Sequence, residues 1–417
     1  MERKKIIVIG GGFAGLNLIR KLKEDLFDVL LIDKLNHHQF QPLFYQVATS
    51  QIEPSTISFP LRKIFHNRKN MQIRMAEVQS INPAANTVHS SIGDFPYDHL
   101  VIASGCKTNF YGNQELMKYS YSLKSTYDAI KLRNAVLENF EKLLSASEDE
   151  KESLLNIVIV GAGPTGVELA GSFAEIKKNV LPKDFPLQDF KDMKIILLEG
   201  GPATLGRMSE LAKKASNDYL TKMGVEITTS IVVKEYDGNT VTLSDGQKIK
   251  SKNVIWTAGV SGNIIPGLDE RVVMANGRFA VSRHNLIQGY KNIFAIGDIA
   301  YMETPIYPKG HPQLANVAIG QGKNLAKNLN GSVKNKMFKS YEYTNLGTMA
   351  TIGKNKAVVD LPFLNFKGYL AWFVWMFLHL MLILSVKNKL IVFIEWAWNY
   401  VTKDSSLRLI LKESDRK

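Results

Sequence analysis

The feature that most constrains the fold of this chain is a glycine-rich turn that occurs twice. The segments IVIGGGFAGL (residues 7–16) and IVIVGAGPTGVELAG (residues 157–171) each set a G-x-G-x-x-G spacing between a β-branched run and a helical pattern. Such glycines permit positive φ and let the backbone approach a pyrophosphate, which the N–H groups of the following helix then bind. Two copies predict an α/β protein with two Rossmann-like dinucleotide-binding domains.

The first copy is completed by an acidic residue at the end of the next strand. Gly10, Gly12 and Gly15 form the turn, and the strand DVLLIDK reaches Asp33 at the distance where a carboxylate binds the ribose hydroxyls of a dinucleotide. Strand, turn, helix and terminal acid together indicate a dinucleotide site far more specifically than the glycine spacing alone.

The second copy has the same parts with a longer gap between turn and acid. Gly161, Gly163 and Gly166 form its turn, and the strand KIILLEGG carries Glu199 at its end. No lysine or arginine directly follows Glu199 to pair with a 2′-phosphate. We therefore expect this carboxylate to select NADH over NADPH.

The cysteine content limits the redox chemistry that the chain can perform by itself. Cys106 is the only cysteine, so an intramolecular disulfide, a CxxC pair and a cysteine-based metal site are excluded, and redox chemistry requires a bound cofactor. Two dinucleotide sites predict electron transfer between a retained FAD and an exchanging nicotinamide. We assign FAD to the first copy, because Asp298 in AIGDIA (residues 295–300) would face its ribityl and phosphate region.

The predicted cofactor contacts lie in the two turns and their acids, in AIGDIA, in YDHLVIASG (residues 97–105) and NVIWTAGV (residues 253–260), and at Lys34, Gln41 and Ala315. The predicted FAD contacts are Gly10, Gly12, Ala14, Gly15, Asp33, Lys34, Gln41, Ala103, Ser104, Gly105, Asp298 and Ala315. The predicted NADH contacts are Gly161, Gly163, Pro164, Thr165, Gly166, Glu199, Ala258 and Gly259. No metal site is predicted, because the adjacent His37 and His38 point to opposite faces of an extended segment without further ligands.

Two polar segments indicate the domain boundaries. SASEDEKES (residues 145–153) is typical of a loop before the second dinucleotide domain, and ANGRFAVSR (residues 275–283) of the return to the first. The second domain therefore interrupts the first. The predicted parts are an FAD-binding domain in residues 1–115 and 271–335, an NADH-binding domain in residues 116–270, and a C-terminal membrane-anchoring region in residues 336–417.

Several longer segments resemble the type II NADH dehydrogenases, single-chain NADH:quinone oxidoreductases within the two-dinucleotide-domain flavoproteins. These segments are DKLNHHQFQPLFYQVAT (residues 33–49), GAGPTGVELAG, AIGDIA and GYLAWFVWMFLHL (residues 368–380). The resemblance implies non-covalent FAD, hydride transfer from NADH to the flavin N5, and two-electron reduction of a quinone, menaquinone or ubiquinone, without proton pumping. It also implies that the catalytic residue Glu168 lies beside the nicotinamide.

One helix departs from the pattern of that family. The family's quinone-site helix usually has the motif Ala-Gln-x-Ala-x-Gln, whereas this chain has Asn316 and Gly320 at the two glutamine positions, with Gln321 next in sequence. We expect Asn316, Gly320 and Gln321 to line the quinone site, with Lys367 reaching it from the start of the tail. The departure leaves open a soluble electron acceptor in place of a quinone.

The C-terminal region has the composition of a membrane-docking segment. Residues 368–386 carry no formal charge, and four of the five tryptophans follow residue 371. A second apolar segment begins four residues later and is too short to return across a bilayer, so we expect two amphipathic helices on the membrane surface rather than a span. The cationic residues that would meet acidic lipid are Lys387, Lys389, Lys403, Arg408 and Lys412.

These features, together with the resemblance, predict a peripheral, monotopic protein on the cytoplasmic face of the cell membrane. A homodimer formed partly through the two apolar helices is compatible with this docking and is also expected. The basic N-terminus lacks the apolar stretch of a signal peptide, which favours a cytosol-like compartment. The formal net charge of +13 suits a lipid surface, and no nucleic-acid motif or partner is expected. The alternative function, from a class of proteins other than enzymes, is a non-catalytic membrane scaffold that responds to NADH. Sulfide:quinone oxidoreductases and disulfide reductases need more cysteines than this chain has.

Overall fold

The computed structural model describes residues 2–404 and 407–411, so Lys412 lies outside the described residues. The chain forms two compact units. Unit 1 comprises Met1–Gln39, Phe59–Lys107 and Val260–Asn345, and unit 2 comprises Phe40–Ser58, Thr108–Gly259 and Leu346–Lys417.

The strands are distributed along the whole described chain. They are β1 (Lys4–Ile9), β2 (Phe27–Asp33), β3 (His37–Gln39), β4 (Ser58–Pro60), β5 (Met71–Met75), β6 (Val78–Asn82), β7 (Thr87–Ser90), β8 (Gly93–Pro96), β9 (His99–Ile102), β10 (Cys106–Thr108), β11 (Ile157–Val160), β12 (Ile195–Leu198), β13 (Val225–Thr228), β14 (Val233–Tyr236), β15 (Thr240–Leu243), β16 (Lys248–Lys250), β17 (Asn253–Trp256), β18 (Val260–Gly262), β19 (Phe279–Ala280), β20 (Ile293–Ala295), β21 (Ala300–Tyr301), β22 (Thr348–Gly353), β23 (Lys356–Leu361) and β24 (Leu364–Lys367).

The α-helices alternate with these strands in the first two thirds of the chain and close it at the C-terminus. They are α1 (Phe13–Lys21), α2 (Phe44–Ala48), α3 (Leu61–Ile64), α4 (Gln114–Tyr119), α5 (Thr126–Leu143), α6 (Glu148–Leu155), α7 (Pro164–Asn179), α8 (Leu181–Asp184), α9 (Glu210–Lys222), α10 (Ala315–Ser332), α11 (Tyr369–Leu382) and α12 (Val386–Thr402). Short 3₁₀ helices lie at Gln41–Leu43, Pro54–Ile57, Glu270–Val272 and Gly297–Ile299.

Unit 1 is built on a parallel sheet with the strand order β20-β9-β1-β2-β5. The central strand β1 pairs with β2 and β9, and Ile9 lies opposite both Ile32 and Ile102. Its last four residues are buried, as expected for a parallel strand covered on both faces. The three strands end side by side, so the residues after them meet at one edge of the sheet.

Unit 2 contains a second parallel sheet with the strand order β13-β12-β11-β17. All four residues of β11 are buried, and Val160 lies opposite both Leu198 and Trp256. The predicted α/β class with two parallel Rossmann-like sheets is confirmed, and the residues of the second sheet lie between segments of unit 1 along the chain.

The C-terminal part of unit 2 combines a sheet and two helices. Strands β22, β23 and β24 form an antiparallel sheet, and Ala371 of α11 packs on Ala357 and Val359 of β23. The long apolar run is not one helix, because Ile383 takes an extended conformation (ψ 135°) between α11 and α12. Among residues 2–404 and 407–411, no helix is both long enough and apolar enough to cross a membrane.

Candidate functional site

The glycine turn of unit 1 is fixed by contacts that leave no room for side chains. Gly10 has φ +104°, and a Cβ atom on it would lie 2.4 Å from the Ala103 carbonyl oxygen. A Cβ atom on Gly15 would lie 2.0 Å from the Gly10 carbonyl oxygen, where α1 packs against the turn. Both positions therefore require glycine for the packing of the unit itself.

Other glycines of unit 1 face open space. A Cβ atom on Gly12 or Gly105 would meet no described atom within 4 Å. Gly12 also has an ordinary extended backbone (φ −70°, ψ −167°), so the fold does not demand glycine there. An open cradle beside the first N–H groups of α1 fits the close approach of a dinucleotide pyrophosphate.

Asp33 supports the turn from the end of β2. Its Oδ2 accepts a hydrogen bond from the Gly11 N–H at 2.6 Å, and its Oδ1 accepts one from the Leu35 N–H at 2.7 Å. Burial raises the pKa of Asp33, and these two N–H groups oppose that shift. The residue is therefore a partly buried brace for the turn, in the place where the sequence pattern predicts a ribose contact.

His38 supports the same turn from the opposite side. It is buried, and its Nδ1–H donates to the Gly11 carbonyl oxygen at 2.9 Å while the Phe13 ring meets it edge-on. Burial lowers the pKa of His38 to about 4, so the ring is neutral near pH 7. The sequence around His38 did not predict this hydrogen bond to the glycine turn.

The loop that carries Asp298 is held against α1 and α10. Gln321 is fully buried, and its Oε1 accepts a hydrogen bond from the Gly297 N–H at 2.7 Å. Its Nε2 has no hydrogen-bond partner among the described residues. Cys106 Sγ donates to Asp298 Oδ2 at 3.0 Å. The buried, unpaired amide fits a site whose remaining partner is a polar ligand.

The remaining predicted FAD contacts fall into two groups. Ala103 follows β9, the Ser104 hydroxyl donates to the Asn263 carbonyl oxygen at 2.8 Å, and Ala315 begins α10, all in unit 1. Lys34 of unit 1 is exposed and forms an ion pair with Glu77 at 2.6 Å. Gln41 belongs to unit 2, where it lines a cavity described below.

The turn of unit 2 repeats the geometry of the first. Gly161 has φ +102°, with a Cβ position only 2.8 Å from the Ala258 Cα, and a Cβ atom on Gly166 would lie 1.9 Å from the Gly161 carbonyl oxygen. Gly163 faces open space, like Gly12 in unit 1. Pro164 and Thr165 open α7, where a proline needs no N–H partner.

Glu199 braces this second turn as Asp33 braces the first. Its Oε2 accepts a hydrogen bond from the Ala162 N–H at 2.6 Å, and its Oε1 accepts one from the Gly201 N–H at 2.7 Å. On the far side of the turn, Gly259 has φ +110°, and its Cβ position would lie 2.5 Å from the Tyr111 hydroxyl. The structure thus brings the predicted NADH residues together at one sheet edge.

Glu168 lies on α7 with its side chain buried between two cavities of unit 2. A cavity of about 200 Å³ is lined by Glu168, Thr165, Gln41 and Tyr45, and one of about 100 Å³ is lined by Glu168, Tyr45 and Glu175. Burial raises the pKa of Glu168 well above its usual range, although the Thr351 N–H opposes the shift. Burial of this carboxyl group therefore favours its neutral form over the carboxylate.

The residues predicted for the quinone site do not share one environment. Asn316 is exposed in the first turn of α10, and Gly320 lies one turn later on the same helix face. Gln321 is turned away from that face into the core of unit 1. Lys367 is exposed at the end of β24 in unit 2.

Comparisons with known proteins agree with this fold. Residues 4–322 match the family described as pyridine nucleotide-disulphide oxidoreductases, and residues 345–403 match the NDH2 C-terminal domain. A type II NADH:quinone oxidoreductase of Mycobacterium tuberculosis is 33% identical over 418 residues, which cover 96% of this chain and 89% of that protein. A type II NADH:quinone oxidoreductase of Staphylococcus saprophyticus is 28% identical over 365 residues, 86% of this chain and 89% of that protein.

Solved structures show the same fold. The structure of NDH2 from Plasmodium falciparum in complex with NADH superposes with a TM-score of 0.90 at 20% identity, over 99% of this chain and 100% of that chain. The two parallel sheets with their glycine turns define a two-dinucleotide oxidoreductase of the pyridine nucleotide-disulphide class. Within that class, the chain belongs to the type II NADH:quinone oxidoreductases. Its activity is the flavin-dependent oxidation of NADH by a quinone.

Proposed function

We propose that unit 1 binds FAD non-covalently at the first glycine turn and that unit 2 binds NADH at the second. The observation that carries this proposal is the repeated geometry, in which one open glycine faces a ligand and one carboxylate braces the turn. The assignment retains the FAD contacts that were predicted in unit 1 and the NADH contacts that were predicted in unit 2. The domain boundaries at residues 115, 270 and 335 remain part of the proposal, whereas the two compact units divide at residues 107, 259 and 345 and residues 40–58 belong to unit 2.

The residues of the chain bind and orient the two dinucleotides. The N–H groups at the start of α1 and α7 bind the phosphates, and Asp33 and Glu199 accept hydrogen bonds from the riboses with their remaining lone pairs. When bound, FAD supplies the carrier that takes a hydride from NADH at N5 and passes two electrons to the quinone. Gln321, with its free buried amide, contributes to the FAD site.

Glu168 is the residue that we propose to act beside the nicotinamide. It lines the 200 Å³ cavity together with Pro164 and Thr165, which begin the helix of the NADH turn. Both oxygens of its carboxyl group can accept hydrogen bonds from the carboxamide of the nicotinamide. Glu168 therefore positions the nicotinamide beside the start of α7.

The acceptor that we propose is a membrane quinone, menaquinone or ubiquinone, bound near Asn316 and Gly320. Asn316 is exposed and keeps an amide that can donate to a quinone carbonyl. No transmembrane bundle is needed for this reaction, and the proposed enzyme moves no protons across the membrane.

We further propose that α11 and α12 dock the protein peripherally on the cytoplasmic face of the cell membrane, as a homodimer. Trp375 and Trp396 are buried on the inner sides of these helices, whereas the outer sides are apolar and open. The exposed large apolar residues of the two helices are Tyr369, Leu370, Phe373, Phe377, Leu378, Met381, Leu382, Val386, Leu390, Phe393, Ile394, Trp398, Tyr400 and Val401. An apolar surface of this extent is typical of a lipid or protein contact.

The experiment that tests the proposed function follows the flavin absorbance of the full-length, detergent-solubilised protein. NADH is added anaerobically, and a short-chain quinone is added after the absorbance has settled. Rapid bleaching followed by rapid recovery supports both half-reactions. Bleaching without recovery would mean that the electron acceptor is a soluble carrier and not a quinone. A complex with NADH that persists in the presence of acceptors would favour the non-catalytic scaffold.

Replacing Glu199 by alanine is expected to narrow the preference for NADH over NADPH. The carboxylate that repels a 2′-phosphate and accepts from the ribose is then absent. We expect the ratio of kcat/KM for the two cofactors to fall by about tenfold, since one charged hydrogen bond is worth roughly 1.5–3 kcal/mol. Steady-state kinetics with both cofactors measure the ratio, and an unchanged ratio would mean that another residue reads the ribose.

Replacing Phe373 and Phe377 together by serine is expected to weaken binding to lipid vesicles. Both rings are 56% exposed and lie one helical turn apart on α11. Because burying one such ring in lipid contributes about 1.5–3 kcal/mol, we expect at least a tenfold loss of partitioning in co-sedimentation. Leu187→Ser, at a fully exposed residue between α8 and β12, is the control and should bind like the wild type. Equal co-sedimentation of the double variant would contradict the membrane proposal.

A further inference from the structure

The side chain of Tyr341 in unit 1 occupies the space beside Gly320, a position of α10 that carries no side chain. A Cβ atom on Gly320 would lie 2.2 Å from the Tyr341 hydroxyl oxygen and 2.9 Å from the tyrosine ring. The phenol is therefore packed directly against the backbone of α10 at Gly320. Any larger residue at position 320 would displace it.

The tyrosine is held in this position from several sides. Its N–H donates to the Arg283 carbonyl oxygen at 2.8 Å, and Arg283 donates back to the Tyr341 carbonyl oxygen at 3.2 Å. Its ring meets the buried His311 edge-on, with 5.5 Å between the ring centroids. His311 is itself 3.3 Å from the Glu342 carboxylate. The hydroxyl is thus placed by a fixed ring and a fixed backbone.

The hydroxyl group is available for a ligand. It has no hydrogen-bond partner among the described residues, and the tyrosine is only partly buried. Burial raises the pKa of Tyr341 to about 12, so the group keeps its proton and remains a donor near pH 7. The exposed Asn316 lies one turn before Gly320 on the same face of α10, and its side-chain amide is a second hydrogen-bond donor.

We propose that Tyr341 is a quinone-binding residue that supplies, from outside α10, the polar group that Gly320 lacks. This inference rests on the proposed quinone site along α10. The Tyr341 hydroxyl and the Asn316 amide form a pair of donors about one helical turn apart, and the hydroxyl donates to a carbonyl oxygen of the quinone. Gly320 is the residue that makes room for this arrangement.

The test compares Tyr341→Phe with the wild type in the two half-reactions. The variant keeps the ring and removes only the hydroxyl, so we expect kcat/KM for a short-chain quinone to fall about tenfold, mainly through KM. Bleaching of the flavin by NADH, and turnover with ferricyanide, should stay within twofold of the wild type. Tyr343→Phe, two residues along the chain and also against His311, is the matched control and should leave all rates unchanged.

A second variant protects the test against a simple packing effect. Tyr341→Ala should lose quinone activity, and adding Gly320→Gln should restore part of it by returning a side-chain amide to the space that the phenol vacated. Wild-type kcat/KM in Tyr341→Phe, or an equal loss with ferricyanide, would overturn the proposal for Tyr341 alone. A wild-type protein that reduces no quinone would instead overturn the proposed function, and the role of Tyr341 with it.

Discussion

Gly12→Ala should lose FAD, whereas Gly163→Ala should keep FAD and lose affinity for NADH. Both glycines have extended backbone and face open space, so alanine fits the unliganded protein at either position. The added methyl group would then meet only a pyrophosphate that approaches the turn closely. We expect at least a tenfold weaker retention of FAD in the first variant, and at least a tenfold higher KM for NADH in the second.

The measurements are the flavin content after gel filtration, the rate of flavin bleaching at several NADH concentrations, and thermal unfolding of both variants. Gly15→Ala provides the contrast, because its Cβ atom would lie 2.0 Å from the Gly10 carbonyl oxygen and should lower the stability of the unit itself. If Gly163→Ala released FAD while Gly12→Ala retained it, the two dinucleotides would be assigned to the wrong turns.

The turns were predictable because their requirements are local. Positive φ at Gly10 and Gly161 follows from the strand-to-helix reversal, and the spacing places each acid at the end of the neighbouring parallel strand. What the sequence did not reveal is that Asp33 and Glu199 also brace the turns through the N–H groups of Gly11 and Ala162. That role depends on the register between two strands rather than on residue type.

The contacts of α10 could not be predicted from the sequence, because they join residues that are far apart along the chain. Gln321 and Gly320 are adjacent in the chain, yet one is buried against Gly297 and the other is covered by Tyr341. A helical pattern places them about 100° apart but cannot show which neighbour meets each face.

The segment of residues 40–58 illustrates the same limit. Its neighbours along the chain in both directions belong to unit 1, but the segment packs in unit 2, where Trp396 Nε1 donates to Gln46 Oε1 at 2.8 Å. The pairing spans 350 residues, and no short pattern records it. The apolar tail is similar, since its helical pattern breaks at Ile383, a buried residue (2% exposed), without a proline or a glycine to mark the break.

Glu168→Gln should slow the reaction with NADH and, at the same time, stabilise the protein at alkaline pH. Burial raises the pKa of Glu168 well above its usual range, so the folded state holds a proton that the unfolded chain has released. Stability therefore falls as pH rises from the ordinary glutamate range through the raised pKa, and it stays lower above it. Glutamine carries no ionisable group and escapes this loss.

The matched control is Glu175→Gln, two turns along α7. Burial also raises the pKa of Glu175, but its Oε1 accepts a hydrogen bond from the Lys354 N–H at 2.6 Å, and it lines only the 100 Å³ cavity. It should gain stability at alkaline pH without a change in NADH oxidation. In Glu168→Gln an NH2 group that cannot accept a hydrogen bond replaces one carboxyl oxygen. We therefore expect a misplaced nicotinamide and a rate constant of flavin bleaching lower by on the order of tenfold or more.

Thermal unfolding from pH 5 to pH 9 and stopped-flow bleaching separate the two effects. A Glu168→Gln variant with wild-type bleaching and raised alkaline stability would leave Glu168 as a buried acid without a catalytic role. Slower bleaching in both variants would place the cause in the packing of α7. If bleaching is slower in Glu168→Gln alone, while both Glu168→Gln and Glu175→Gln gain alkaline stability, then the buried carboxyl group of Glu168 costs stability but is needed for the reaction with NADH.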